Sequence, residues 1–352
     1  MSQTPLKLMF IAARQGAGGS EKFLLGLIEG LSERDNIDML TVVAEGSWLH
    51  QQMKRQNIPH KTEDFGGIFD FSTKKNLRAI AKEFQPHIIH SWMTRAAKYA
   101  PKGIGISMAR LGGYYHKRPY KDIEHMLCAT PDMCQFIEKM GWPKERVHYI
   151  PDFVNFPRHD FKDYRLDVRA EYGIHTDAKV ILMIGRFHES KGFDTALFAL
   201  NHLPENVHCL LVGTGPEEKA LKAAVEADGL TERVHFAGWV EHMAPLFAAA
   251  DMLLIPSRQP SFGRAVLEGW AHETPVIVAD TVGPRALIEH EKTGVIIPKD
   301  NDEAIAQAVE RLIKDDELAT SIAQGGAKKA REHYTEEKVI DAYVGLYNEL
   351  KR

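Results

Sequence analysis

The sequence predicts an α/β protein in which two doubly wound parallel sheets each carry helices on both faces. The first observation is length, because 352 residues exceed what one hydrophobic core usually serves. The second is the alternation of short apolar runs with segments of helical period, which is typical of βαβ units. The third is a break in this alternation at 151–165, a stretch containing Pro, Asp and Asn. Two such domains are expected to hold ligands in a cleft between the carboxyl ends of their strands.

Six strands are predicted before the break and six after it, because each apolar run ends in glycine, proline or polar residues. The runs are 6–13, 39–43, 87–91, 105–111, 125–129, 147–150, 180–185, 208–213, 234–237, 252–256, 276–279 and 294–298. Helices are predicted from Ser20, Ser47 and Pro131, and after each strand of the second half. The predicted domains are 1–157 and 158–335, and an apolar face predicts a last helix, 336–352, that can pack on the first domain.

Composition predicts a cytoplasmic globular protein, with 44% hydrophobic and 26% charged residues. No apolar run approaches the ~20 residues that span a bilayer, and the first run lacks the features of a signal peptide. The three cysteines, Cys128, Cys134 and Cys209, have neither CxxC nor metal-site spacing and are expected to be reduced thiols.

Metal and nucleic-acid sites are not predicted. The 17 histidines form no pair supported by carboxylates at ligand spacing, and no DxD-type acidic pair follows a strand. No known nucleic-acid-binding motif is present, and the net charge is −4.

The segment 256–280, PSRQPSFGRAVLEGWAHETPVIVAD, predicts an anion site beside a carboxylate. A strand ends in a loop, and Ser261, Phe262 and Gly263 lead that loop into a helix that carries Glu268. The amino end of a helix exposes backbone N–H groups and partial positive charge, which suit phosphate. A carboxylate further along the helix can accept sugar hydroxyls. A nucleotide-sugar needs both.

Two cations follow the first strand of the second half. Arg186 comes directly after Gly185, and Lys191 lies five residues further on, before a predicted helix. Two cations at the carboxyl end of a strand can neutralise a diphosphate. The alternative is that both are solvated surface charges.

Glycine-rich loops follow two predicted strands, at 16–20 and 213–215. Glycines there let the backbone approach a ligand, although a tight strand–helix turn is the alternative. A dinucleotide fingerprint needs a third glycine, and neither loop has it at the required position. An NAD-dependent enzyme is therefore not predicted.

The stretch 84–121 contains no acidic residue and interleaves cations with aromatic residues. This pattern favours an anionic acceptor or an anionic membrane surface, with a solvated face as the alternative. His90 is expected to be a hydrogen-bonded core residue. The predicted acceptor-binding residues are Trp92, Arg95, Tyr114, Tyr115 and His116.

Taken together, these motifs resemble those of retaining glycosyltransferases of family 4, and the resemblance covers nearly the whole chain. The matching segments are Gly18-Gly19-Ser20-Glu21, Ile150-Pro151 with Val154, Gly185-Arg186-Phe187 with Lys191-Gly192, 211–216, 236–238 and 256–280. The resemblance implies the GT-B fold, in which two Rossmann-like domains face each other across a cleft. It also implies a nucleotide-diphosphate-sugar as co-substrate, with no other cofactor and no metal.

The resemblance implies a role for each matched position. Arg186 and Lys191 would hold the donor diphosphate and Glu268 the ribose hydroxyls, which makes these three the predicted catalytic residues. The wider donor-binding set comprises glycines of the strand–helix loops, residues at the start of the helix in segment 256–280, and residues beside the nucleotide base. Its further members are Gly18, Gly19, Gly185, Gly215, Trp239, Val240, Ser261, Phe262, Gly263, Arg264 and Ala265.

Two positions depart from the family pattern. Pro260 stands where the family has a second glutamate, eight residues before Glu268, that contacts the donor sugar. Proline has neither a side-chain acceptor nor an N–H. Where the family often has His-x-His, this chain has His90-Ser91-Trp92, which predicts a stacking surface at Trp92.

The sequence therefore predicts a metal-independent, retaining hexosyltransferase-type enzyme, cytoplasmic or peripheral on the inner face of the cell membrane. The acceptor would be a hydroxyl of an anionic glycan or glycolipid, such as a lipopolysaccharide core. Two alternatives stay open, a catalytically weak nucleotide-sugar-binding protein of the same fold and a GT-B nucleotide-sugar epimerase.

Overall fold

The computed structural model describes residues 5–66, 70–157, 163–259 and 262–351. The chain divides into two compact units, each built on one parallel sheet. The first unit is Met1–Phe153 with Glu336–Arg352, and the second is Val154–Thr335. The predicted α/β class with two parallel-sheet, Rossmann-like domains is confirmed.

The sheet of the first unit has the strand order β3-β2-β1-β4-β5-β6-β7, and every neighbouring pair is parallel. Helices connect the strands and are numbered along the whole chain. The strands are β1 (Leu6–Ala12), β2 (Ile37–Ala44), β3 (His60–Glu63), β4 (Ile88–Trp92), β5 (Ile106–Arg110), β6 (His125–Cys128) and β7 (Val147–Tyr149). The helices are α1 (Gly19–Ser32), α2 (Trp48–Arg55), α3 (Phe71–Phe84), α4 (Met93–Ala97), α5 (Pro131–Lys139) and α14 (Glu336–Lys351).

The sheet of the second unit has the order β10-β9-β8-β11-β12-β13, again with parallel neighbours. Its strands are β8 (Lys179–Ile184), β9 (Val207–Val212), β10 (Val234–Gly238), β11 (Met252–Ile255), β12 (Val276–Ala279) and β13 (Val295–Ile297). Its helices are α6 (Tyr164–Glu171), α7 (Phe193–Ala199), α8 (Glu218–Ala227), α9 (Ala244–Ala249), α10 (Arg264–Ala271), α11 (Val282–Leu287), α12 (Asp302–Lys314) and α13 (Asp316–His333).

All twelve predicted strands are found, and the prediction missed only β3 among the described strands. The sequence of β3, HKTE, carries no apolar residue, because β3 lies at the edge of its sheet and none of its residues is fully buried. Periodicity detects a strand through its apolar face, so a polar edge strand gives no signal.

The C-terminal helix α14 packs in the first unit, against α1 and β1. Gly30 of α1 allows the close approach, because a Cβ at this position would lie 1.9 Å from Cδ1 of Ile340. The second unit begins at Val154, whose N–H donates to the carbonyl of Tyr334 (2.9 Å). The division lies four residues before the predicted boundary at 157/158.

Candidate functional site

The loop between β8 and α7 carries Arg186 and Lys191. Arg186 is exposed, and Lys191 is half-buried at the end of a 3-10 turn, Glu189–Lys191. Desolvation by burial lowers the pKa of Lys191 from its ordinary value. Because a nearby anion acts in the opposite direction, a phosphate bound beside this ammonium would stabilise its charged form.

The loop between β11 and α10 ends at Gly263, which has φ +86° and precedes the first residue of α10. Only glycine adopts this conformation without strain, and no side chain caps the helix. The first amides of α10, at Arg264 and Ala265, therefore lie at an uncapped amino end. Phe262 beside them is buried. Pro260 and Ser261 lie outside the described residues.

Glu268 lies one turn into α10 and is half-buried. Its carboxylate accepts a hydrogen bond from Nε of Arg264 (3.3 Å), an i,i+4 ion pair on the helix. Nη1 of Arg264 is buried without a hydrogen-bond partner among the described residues. The ion pair thus holds the Glu268 carboxylate beside the first residue of α10.

Sheet order brings these two loops to one place. β8 and β11 are hydrogen-bonded neighbours, so the loops that follow them leave the same edge of the sheet side by side. The loop after β10, with half-exposed Trp239 and partly buried Val240, leaves that edge two strands away.

Two glycines in the second unit let backbone segments approach closely, and a third, Gly185, lies beside Lys191. A Cβ on Gly213 would lie 1.9 Å from the carbonyl oxygen of Gly185, and one on Gly215 would lie 2.2 Å from that of Phe187. A Cβ on Gly185 would be 3.7 Å from Cδ and Cε of Lys191. Packing alone therefore requires glycine at 213 and 215, and a donor contact of Gly185 or Gly215 stays a prediction.

In the first unit, Gly18 precedes α1 and Gly19 begins it. Beneath this turn, Nη1 of Arg14 contacts Oε2 of buried Glu21 at 3.0 Å. A Cβ on Gly18 would lie 2.8 Å from that oxygen, so Gly18 leaves room for the ion pair. Burial raises the pKa of Glu21 although the charge of Arg14 opposes the shift.

Trp92 requires a correction. Its ring is 3% exposed, stacks on Phe23 at 5.8 Å and donates its indole N–H to Ser20 Oγ at 2.8 Å. The predicted stacking surface for a sugar is therefore wrong, because Trp92 belongs to the core of the first unit. Sequence could not reveal this, since its neighbours come from α1.

The other predicted acceptor-binding residues lie nearer the surface. Arg95 and His116 are exposed, and Tyr114 and Tyr115 are half-buried. Tyr114 packs edge-on against Phe136, at 5.1 Å between ring centroids. The hydroxyl of Tyr114 is buried without a hydrogen-bond partner among the described residues. A role in acceptor binding stays a prediction for these four.

Sequence reasoning missed a buried polar cluster in the first unit, centred on Arg110. Its guanidinium pairs with Asp152 and donates to the hydroxyl of Tyr343 (2.8 Å) in α14. His90 lies in the same core, and its Nδ1 lies 2.7 Å from the hydroxyl of Tyr347. Burial, with the charge of Arg110, lowers the pKa of His90 to about 3, so its ring is neutral. The prediction of a hydrogen-bonded core histidine is confirmed.

Across the described ranges, no group of three or more His, Cys, Asp or Glu side chains is arranged to hold a metal ion. Among the helices of the same ranges, none is both long enough and apolar enough to cross a bilayer.

Comparison with known families identifies the second unit. Residues 165–329, which include the β8–α7 and β11–α10 loops, match the model of the family "Glycosyl transferases group 1". Residues 165–329 are therefore similar to a glycosyltransferase group 1 domain. The resemblance to glycosyltransferases is confirmed.

Relatives of similar length extend the likeness beyond the glycosyltransferase group 1 domain. The chain is 29% identical over 340 residues to a lipopolysaccharide core biosynthesis glycosyltransferase, LpsD, of Rhizobium meliloti strain 1021, covering 94% of this chain and 95% of that protein. It is 28% identical over 332 residues to LpsE of the same strain, a protein with the same description, covering 94% and 95%.

Solved structures show the same two-domain fold around the glycosyltransferase group 1 domain. Anabaena Alr3699/HepE, crystallised with UDP and glucose, superposes with a TM-score of 0.85 at 18% identity, covering 98% of this chain and 100% of that one. WaaG, a glycosyltransferase involved in lipopolysaccharide biosynthesis, superposes with a TM-score of 0.73 at 17% identity, covering 96% and 100%. These neighbours confirm the predicted GT-B fold.

Proposed function

We propose that this protein is a retaining, metal-independent glycosyltransferase that moves a sugar from a nucleotide-diphosphate-sugar to a hydroxyl of a lipopolysaccharide-core or related glycolipid acceptor. The observation that carries the proposal is the juxtaposition of Lys191 with the uncapped start of α10, on loops that follow adjacent strands. Support for a nucleotide-sugar comes from the UDP and glucose named for the Anabaena protein, and support for the acceptor from the descriptions of LpsD and LpsE.

The chemistry proposed is stabilisation of the leaving nucleotide. Negative charge grows on the diphosphate as the glycosidic bond breaks, and Lys191, Arg186 and the amides that begin α10 would stabilise it. One such preorganised donor typically contributes ~3–4 kcal/mol to the transition state. Retention would follow if the acceptor hydroxyl attacks the face that the nucleotide leaves.

A screen of UDP-, GDP- and ADP-sugars by thermal shift tests the donor class, because a ligand that binds the native state raises its apparent stability. Turnover with a lipid-linked oligosaccharide core, in buffer containing EDTA, then tests transfer and metal independence. Anomeric analysis of the product tests retention. Release of a free epimer of the sugar, with no acceptor present, would instead support the epimerase alternative.

A second candidate is a nucleotide-sugar-binding protein with weak catalysis, which Pro260 favours because it replaces the glutamate of the family pattern. Calorimetry with the donor and a donor-hydrolysis assay separate the two candidates. Tight binding without turnover would support the second.

The role proposed for Glu268 is to bind the ribose hydroxyls, and it leads to a prediction about affinity. Glu268→Gln keeps the shape but removes the charge, and hydrogen bonds to charged groups contribute ~1.5–3 kcal/mol. We expect the Kd for UDP, measured by calorimetry, to rise about 10- to 100-fold. Glu226→Gln, at an exposed position of α8, is the matched control. An unchanged Kd in Glu268→Gln would exclude the ribose role.

The proposed acceptor or membrane surface lies on the first unit, where α4 packs against a 3-10 turn, Arg118–Tyr120. The hydroxyls of Thr94 and Tyr120 join the two at 2.7 Å. This contact gathers cations that are separate in sequence. The exposed ones are Arg95, Lys98, Lys117, Arg118 and Lys121. We propose that they hold the anionic glycolipid, which would place the enzyme on the cytoplasmic face of the membrane.

Charge reversal tests this basic surface. We expect the triple variant Arg95→Glu, Lys98→Glu and Arg118→Glu to lose most binding to vesicles containing anionic lipid at low salt. The difference from wild type should shrink as salt screens the charges. The control reverses three exposed cations elsewhere on the unit, Lys54, Arg55 and Lys82. An equal loss of vesicle binding in both triple variants would show that binding depends on net charge alone and not on this surface.

A further inference from the structure

The β11–α10 loop contains a guanidinium whose hydrogen bonds all go to the protein. Arg258 donates from Nη1 to the carbonyl of Glu189 (2.8 Å) and to Oδ1 of Asp194 (2.7 Å). Nη2 donates to Oδ2 of Asp194 (2.8 Å) and to Oγ1 of Thr195 (2.8 Å), and Nε donates to Asp300. An arginine side chain has five N–H donors, and all five are used here. Arg258 therefore has no donor left for a ligand.

The acceptors of Arg258 show which elements it joins. Glu189 opens the 3-10 turn that ends at Lys191, and Asp194 and Thr195 lie in the first turn of α7. Arg258 itself follows β11. One side chain thus connects the loop after β11 to both ends of the segment that carries Lys191.

Backbone contacts reinforce the connection. The N–H of Arg258 donates to the carbonyl of Ser190 at 2.9 Å. Gly192 adopts φ +67°, and a Cβ there would lie 2.2 Å from the carbonyl oxygen of Pro256. Two loops in such close contact cannot shift independently.

The charges of the cluster support a fixed geometry. Burial acts to raise the pKa of Asp194, but the hydrogen bonds and charge of Arg258 outweigh it and hold that pKa below its ordinary value. The bidentate Arg258–Asp194 pair has the planar geometry that lysine cannot reproduce.

We propose that Arg258 is a positioning residue that locks the β8–α7 loop onto the β11–α10 loop, so that Lys191 and the start of α10 bind the same phosphate group. This inference rests on the proposed function. Displacement of a donor-site cation by about 1 Å can lower the reaction rate about 100-fold. Arg258 would act through Lys191 without touching the substrate.

The test variant is Arg258→Lys, and Arg165→Lys is its matched control. Arg165 also binds an aspartate and main-chain carbonyls, contacting Asp251 at 2.7 Å and the carbonyl of Ala248 at 3.0 Å. These acceptors precede β11, at the end opposite to the β11–α10 loop. Both changes weaken an arginine cluster in the same unit, but only one disturbs the loops.

The first readout is hydrogen exchange of the intact protein without ligand. We expect the amides of Lys191 and Gly192 to exchange at least tenfold faster in Arg258→Lys and at the wild-type rate in Arg165→Lys. Equal exchange in wild type and Arg258→Lys would overturn the inference, whether or not the protein transfers sugar.

The second readout is kcat for donor hydrolysis in single and double variants. We expect Arg258→Lys to lower kcat at least tenfold in the wild-type background and less than threefold in Lys191→Ala, because coupled residues are not additive. Equal losses in both backgrounds would overturn the action through Lys191. Faster exchange in Arg258→Lys, together with a wild-type protein that neither binds nor hydrolyses nucleotide-sugars, would keep the loop lock but refute the proposed function.

Discussion

Lys191→Ala is expected to lower kcat for sugar transfer about 100- to 1,000-fold, the usual cost of removing one preorganised electrostatic donor. Lys191 is half-buried, and burial lowers its pKa. A poorly hydrated ammonium gains more from a phosphate than a solvated one, since water screens the latter. The loss should appear in kcat more than in KM, because the diphosphate carries most charge in the transition state.

The control is Lys222→Ala, in which the lost ammonium belongs to an exposed i,i+4 pair with Glu218 on α8. Rates should be measured with saturating donor, and far-UV circular dichroism should confirm that both variants are folded. A Lys191→Ala enzyme with near wild-type kcat would remove Lys191 from the mechanism, and the proposal would then rest on Arg186 and the start of α10.

Asp152→Ala is expected to destabilise the first unit by about 3–5 kcal/mol, which is typical when one partner of a buried ion pair is removed. Arg110 is 3% exposed, and its other contacts include the carbonyl of Ile150, the hydroxyl of Tyr343 and the faces of Phe23 and Trp92. None of these is an anion, so the variant buries an uncompensated charge. Native-state hydrogen exchange of the β5 amides measures the loss within this unit.

Two comparisons make this prediction specific. Asp122→Ala removes an exposed ion pair with Lys102 (2.7 Å) in the same unit and should cost less than about 1 kcal/mol. The double variant Arg110→Met with Asp152→Ala should recover much of the stability, since it removes both charges. A loss in Asp152→Ala no larger than in Asp122→Ala would show that water reaches Arg110.

The strands show how far sequence determines the fold. Nine of the thirteen described strands contain at least three buried residues, and β10 and β13 contain one and two, so their apolar runs are visible without coordinates. Strand β7 was still detected with two half-buried residues and one exposed residue, but β3 was missed because its four residues are polar. Local chemistry likewise placed helix starts at Ser47, which caps α2, and at Pro131, which begins α5.

At the candidate site, sequence predicted residues but not their partners. Lys191, Gly263 and Glu268 were predicted because a cation, a glycine and a carboxylate occupy loops and helix positions along the chain, and their roles stay predictions. Arg258 gave no signal, since its acceptors lie up to 69 positions away and only the pairing of β8 with β11 brings them near.

Sequence by itself therefore determined the class of fold and indicated the candidate loops, because apolar period, turn residues and helix starts are local properties. The tertiary structure decided which side chains are free to act. It buried Trp92 against α1, paired Arg110 with Asp152, and committed all five donors of Arg258 to the protein. These outcomes depend on contacts between distant segments, and burial is fixed only when the sheets and helices have packed.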